Sequence, residues 1–167
     1  MSDNLHDLLQ QDEPNALPRI ERALRSQDDL SADQEAVLGA LVWQRCTSGS
    51  AGLLGCVLHG DSANRIDELP DQLERIGAND AAVATRALRN AIPLDDSQIR
   101  AGLVDWMDTQ PDIVNKALEL KDALNEVDQA IWDFMKDAAT DIPDLEIQTR
   151  TETVVSSFVG LFRSSGD

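Results

Sequence analysis

Residues 111–139, PDIVNKALELKDALNEVDQAIWDFMKDAA, decide how this chain folds. Ile113, Ala117, Leu120, Leu124, Val127, Ile131, Phe134 and Ala138 recur at alternating steps of four and three, one apolar stripe along a helix. Glu119, Asp122, Glu126, Asp133 and Asp137 fall away from that stripe, spaced mostly by three, four and seven. One face is patterned to bury and another to carry negative charge. The stretch is longer than an average helix, and a break near Lys121–Asn125 is in keeping with that length.

Upstream, Asp105, Asp108 and Asp112 continue the acidic rows. Carboxylates four residues apart on a helix are separated by about 6 Å along its axis. Rows at that separation coarsely resemble the phosphates of a nucleic-acid backbone. Such a surface can occupy the site where a basic protein binds DNA. A solvated helix face accounts for the same residues without a partner.

The whole composition leans the same way. The chain has 167 residues, long enough for one domain with a real core. Its 42% hydrophobic and 27% charged fractions are those of a globular protein. The net charge is −17, from 31 Asp and Glu against 14 Lys and Arg. Residues 1–90 hold 15 acids and 8 bases and residues 91–167 hold 16 and 6, so the body itself is acidic rather than one tail. That charge repels nucleic acid, which excludes direct nucleic-acid binding, and it attracts basic proteins most strongly at low salt. Acidic residues also serve plain solubility. Cys46 and Cys56 make no disulfide framework. No signal peptide is expected, and no stretch approaches the roughly 18 apolar residues of a membrane span. The expected home is the cytoplasm, with no membrane partner.

Taken in order, residues 1–15 are polar and read as a flexible N-terminal segment, with a short turn around Leu5–Leu9. Residues 16–167 read as a single all-helical domain. Pro18 suits a first helical turn, and Arg19, Arg22 and Arg25 form the one basic patch. Ser31 with Gln34 spells a capping box for a helix burying Ala36, Val37, Ala40, Leu41 and Trp43 or Cys46. Ala51 to His59 is apolar all round, the pattern of a central buried helix whose glycines admit close neighbours. Gly60 is placed to close it, and Asp61-Ser62 to open another helix, interrupted at Pro70 and stopped by Gly77. Asn79 or Asp80 is expected to cap a helix ending at Pro93. Asp95-Asp96-Ser97 then opens one running through Met107. A last helix is expected from about Thr151 to Arg163, after a turn at Asp141–Asp144. The pattern gives an all-α fold of seven to nine helices. No run alternates with period two.

Chemistry-bearing constellations are absent. Cys46, Cys56 and His59 do not match a zinc spacing, and no calcium loop is present, so no metal site is expected. His59 is the one base available to a nucleophile, and it reads better as a helix-closing residue beside Gly60. The glycines at 49, 52, 55 and 60 follow no phosphate-loop spacing. No catalytic residue and no cofactor are expected. Trp43, Trp106 and Trp132 sit at core positions rather than on a base-stacking surface.

Five stretches in order carry a likeness: Ala51-Gly52-Leu53, His59-Gly60-Asp61, Leu73-Glu74-Arg75-Ile76-Gly77-Ala78, Ile92-Pro93, and Val127-Asp128-Gln129-Ala130-Ile131-Trp132. Over about residues 35–140 the chain resembles the bacterial DNA-mimic protein family, small acidic helical proteins with a domain of otherwise unknown function. The family shows Gly-Gly-Phe, a glutamine and an aromatic pair, Asn before Gly-Asp, Ile-Gly-Ala, Phe-Pro, and Leu-Asp-x-x-Phe-Tyr. Here Gly55 stands for the glutamine, Cys56-Val57 for the aromatic pair and His59 for the asparagine. Ile131-Trp132 keep only the bulk of Phe-Tyr. These departures fall on core positions and support the fold more than the activity. The resemblance implies an all-helical fold, dimerisation, and binding to a transcription regulator in place of DNA. Gly52, Leu53, Gly60, Asp61, Gly77, Pro93 and Asp128 are its structural positions.

Two readings follow. In the first, the protein is a non-enzymatic DNA mimic that occupies the DNA site of a basic DNA-binding protein through Asp105, Asp108, Asp112, Glu119, Asp122, Glu126, Asp133 and Asp137. In the second, it is an interaction protein that forms a homodimer through apolar helices such as the last one, its acidity serving only solubility. A third is an enzyme with an unrecognised carboxylate site, which ordered metal or a deep pocket converging on Asp61 and His59 would favour.

Overall fold

Trp43 is fully buried, and its indole N–H donates to the hydroxyl of Thr85, also fully buried, at 2.8 Å. That bond joins two helices through residues 42 positions apart in the chain. A computed structural model describes residues 2–11, 13–120, 127–138 and 146–148. The chain begins with β1 (Ser2–Asn4), α1 (Leu5–Gln11), a 3₁₀ turn at Pro14–Ala16, α2 (Leu17–Arg25) and α3 (Ala32–Thr47). A second 3₁₀ turn, Gly52–Leu54, leads into α4 (Gly55–Leu58), α5 (Gly60–Ala63), α6 (Leu69–Arg75) and α7 (Asn79–Ala91). Then come α8 (Ser97–Ala101), α9 (Leu103–Asp108), α10 (Pro111–Glu119), α11 (Val127–Asp137) and β2 (Glu146–Gln148). The fold is all-α. Its eleven helical segments among the described residues exceed the expected seven to nine because several are single turns.

The central helix is α3. Every residue from Ala36 to Trp43 is buried, which is the signature of a helix covered on all sides. Its start is as the sequence spells it: Ser31 Oγ accepts from the Gln34 N–H, and the Gln34 amide oxygen accepts from the Ser31 N–H. Around it pack α6, α2 and α11, with α7 against α6. The apolar stripe of the opening stretch is borne out where it is described. Ala117, Val127 and Ile131 are buried, and Ile113, Leu120, Phe134 and Ala138 pack against the core.

Several boundaries differ from the sequence expectation. The segment expected to be one buried helix, Ala51–His59, is a 3₁₀ turn followed by the single turn of α4. Gly52 at φ +53° bends the chain there. A Cβ on Gly55 would overlap the Cys46 carbonyl, so that glycine does admit the close neighbour foreseen. Asp61 and Ser62 do not cap α5, which starts after an extended His59 with no side-chain cap. The Ser62 hydroxyl instead donates to the carbonyls of Gly55 and His59. Neither Asn79 nor Asp80 caps α7; Ala78 stands at that position without a side-chain bond. Gly77 takes φ +84° in the turn before it. The helix from Ser97 breaks at Gly102 into α8 and α9, after a sound start in which Asp96 accepts from the Gln98 and Ile99 N–H groups. Pro70 lies in the first turn of α6, where its missing N–H costs nothing.

The N-terminal segment is part of the body. Leu5, Leu8 and Leu9 are core residues, and β1 pairs antiparallel with β2, Ser2 opposite Gln148 and Asn4 opposite Glu146. The period-two rule misses a ladder this short, whose inward side chain from β2 is Ile147, fully buried. The expected turn at Asp141–Asp144, the expected last helix from Thr151 to Arg163, and the break at Lys121–Asn125 lie outside the described residues.

Replacing Thr85 by Val strands a buried indole N–H with no partner. Thr85→Val therefore lowers unfolding free energy by about 1–3 kcal/mol in urea titration, and Thr85→Ser, which keeps the hydroxyl, loses distinctly less.

Candidate functional site

The arginines decide which carboxylates remain available. Arg25 reaches Glu21 at 2.9 Å and Asp61 at 3.1 Å, and Arg45 reaches the same Asp61 at 2.7 Å. Arg75 meets Asp33 at 2.7 Å. Arg86 meets Asp71 and Glu74, Arg89 meets Asp67 and Asp95, and Arg19 meets Glu13. Most of these bonds fasten one element to another: α2 and α3 to α5, α6 to α3, and α7 to α6. Each exposed pair is worth little alone, about 0–1 kcal/mol. Their consequence is one of allocation. The basic patch foreseen at Arg19, Arg22 and Arg25 is largely neutralised, since two of its three members are paired.

Every carboxylate in those pairs precedes α8. From Ser97 onward no described carboxylate forms an ion pair among the described residues. Asp105, Asp108, Asp112, Glu119, Asp133 and Asp137 are all exposed. Asp122 and Glu126 lie outside the described residues. Asp112 stands in the first turn of α10, where a helix favours negative charge. Asp108, Glu119 and Asp137 are the last residues of α9, α10 and α11, where the helix dipole opposes it. Among the described residues none of those three forms an ion pair.

The structure sorts these residues into two groups rather than one row. Asp105, Asp108 and Asp112 follow one another across the packed junction of α9 and α10. Asp133 and Asp137 line a groove of about 750 Å³ between α11 and the turn joining α6 to α7. Asp80, one of the two residues expected to cap α7, lines the same groove. Its role there was not legible, because the turn at Gly77 brings it beside a helix far along the chain.

Asp61 and His59 line a smaller hollow of about 370 Å³ with Arg45 and Cys46. The Asp61 carboxylate is already engaged. The hydrogen bond from Arg45, then the charge of Arg25, holds it below the usual carboxylate range, which suits a structural anion rather than a general base. Cys46 and Cys56 are both buried free thiols, and burial pushes the Cys56 thiol well up. Among the described residues no group of three or more His, Cys, Asp or Glu side chains is placed to hold a metal ion. No helix among them is long and apolar enough to cross a membrane.

No protein-family model, no curated protein and no solved structure matches this chain. The positions that carried the family likeness stand at junctions of the fold. Gly52 and Gly77 hold positive φ, Leu53 is fully buried, and Gly60 opens α5. Pro93 follows the end of α7, and Asp61 ties α2, α3 and α5 together. Asp128, in the first turn of α11, accepts a long bond from the Gln44 amide at 3.5 Å, and partial burial raises its carboxyl above the ordinary value.

Asp61 and Asp128 thus respond oppositely to pH. Asp61 is held low in the folded state, so its stabilisation is complete at neutral pH and fades as pH falls through the carboxylate range. Asp128 is held high, so its ionisation opposes folding at neutral pH and the opposition vanishes in acid. In urea titrations between pH 7 and pH 3, Asp61→Asn is less stable than the parent at pH 7 and converges with it in acid. Asp128→Asn is as stable or more stable at pH 7 and converges from the other side.

Proposed function

We propose that this chain is a non-enzymatic acidic binding protein, a DNA mimic that occupies the DNA site of a basic DNA-binding protein. The observation that carries the reading is the unequal allocation of charge. Arg19, Arg25, Arg45, Arg75, Arg86 and Arg89 are committed to carboxylates before α8, and the exposed carboxylates of α9, α10 and α11 are left without ion pairs among the described residues. Three of those carboxylates end helices, where they work against the fold. Solubility alone asks for no such placement. The resemblance to the DNA-mimic family points the same way. A surface of this kind attracts a partner over distances of a Debye length, about 8 Å at physiological salt.

The test couples binding to stability. Immobilised full-length chain captures a basic DNA-binding protein from native lysate at low salt and releases it when duplex DNA or about 0.5 M salt is added, as expected of contacts that stand in for phosphates. Changing Asp108→Asn, Glu119→Gln and Asp137→Asn together weakens that capture while raising the urea midpoint of the chain. A variant that captures the same protein undiminished overturns the reading.

A second reading has one observation behind it. Leu58 and Val104, 39% and 60% exposed, stand together at a hollow with Val57, Ala101 and Leu103. Exposed apolar residues in a group mark a surface for another protein, and a homodimer formed there is compatible with mimicry. Sedimentation of the chain as a dimer, and of Val104→Asp as a monomer at the same loading, supports it. A monomeric parent removes it.

A further inference from the structure

We propose that the groove between α11 and the α6–α7 turn seats an arginine side chain presented by the basic partner; this rests on the acidic-binding reading above and names where that partner engages. The lining has two parts. Val127 and Ile76 are buried and supply an apolar base, with Phe134 half-buried beside them. Asp80, Asp133 and Asp137 are exposed and supply the charge. Among the described residues one cation lines the groove, Arg75, and it is committed to Asp33 on α3 at 2.7 Å. The N-terminal end of α7 also lies in the lining and carries no side-chain cap. Its dipole is equivalent to roughly half a positive charge, against three carboxylates. The groove therefore selects a cation.

Its shape and chemistry distinguish among cations. A divalent metal ion needs converging oxygen ligands, and no such group is found among the described residues. A guanidinium is planar, weakly hydrated and forked. It lies against an aromatic face while its N–H groups donate in pairs to carboxylates. Phe134 with Asp133 one residue before it and Asp137 three after offers both contacts from neighbouring turns of one helix. Asp133 already accepts from the Gln129 amide at 2.8 Å, which orders that carboxylate and leaves its other lone pairs open. A groove of about 750 Å³ holds the side chain with part of the backbone that carries it.

The test uses the full-length chain and a monomeric alanine-based helical peptide bearing three arginines four residues apart, with lysine and citrulline versions of the same peptide. At low salt the arginine peptide binds, the lysine peptide binds less tightly and the citrulline peptide fails to bind. Amide shifts on binding centre on residues 77–81 and 129–137. Asp133→Asn with Asp137→Asn raises Kd for the arginine peptide about tenfold or more, whereas Asp28→Asn with Asp29→Asn, two exposed carboxylates outside the groove lining, changes it less than about threefold. Phe134→Leu narrows the preference for arginine over lysine. Should that variant fail to fold, the exposed Asp133 and Asp137 pair carries the test. Shifts centred on α9 and α10, or equal losses from the two double variants, overturn the groove and leave the acidic-binding reading standing. Equal binding of the citrulline peptide overturns the groove as a cation site. Capture from lysate that ignores both salt and charge variants overturns the broader reading instead.

Discussion

Fourteen cationic side chains cannot neutralise thirty-one carboxylates, and the position of each cation decides what the rest of the surface does. In this fold the arginines act as fasteners. Arg25 and Arg45 converge on Asp61, joining three helices at one oxygen, and Arg86 and Arg89 hold α7 against α6 and its flanking turns. Without them, helices carrying so much like charge would repel along their shared edges. The same commitment leaves the later helices acidic. Structure and surface potential are thus set by one distribution of residues.

The core beneath those fasteners tolerates the charge because it is built from close approaches. The carbonyl of Cys46 sits where a Cβ on residue 55 would be, so α3 and α4 touch backbone to backbone. Trp43 fills the space between α3 and α7 and has its one polar atom satisfied by Thr85. A buried donor left unpaired costs more than a single surface ion pair returns. The balance of stability therefore lies in the packed interior, which frees the surface to be arranged for other ends.

Much of the framework was legible in the sequence. The apolar stripe from Ile113 to Ala138, the capping box at Ser31 and the interruption at Pro70 depend on neighbours within one or two helical turns, which is the range that spacing reports. What failed depends on distant partners. Asp61 looked like a cap and is an anchor for Arg25 and Arg45, residues that only the folded chain brings to it. Asp80 looked like a cap and faces α11. Gly102 splits an expected helix, and Leu5, Leu8 and Leu9 join a core from a stretch whose polar neighbours hid them. For the candidate site, the acidic character was legible and its grouping was not. Grouping requires knowing which acids the arginines have already taken.

That grouping bears on how an acidic surface can be selective. Diffuse negative charge attracts every basic protein and is screened within about 8 Å at physiological salt, so it steers without choosing. The carboxylates across α9 and α10 are of this kind, exposed and spaced like solvated charges. The groove at α11 differs in kind, because Phe134 and the buried Val127 and Ile76 place an apolar surface beside carboxylates. Ion pairs next to an apolar wall are less screened than those in open water, and contact with an aromatic face depends on the shape of the cation. A DNA phosphate offers a DNA-binding protein charge alone at that point. On the reading proposed above, an aromatic contact beside the carboxylates adds for an arginine what a phosphate does not supply.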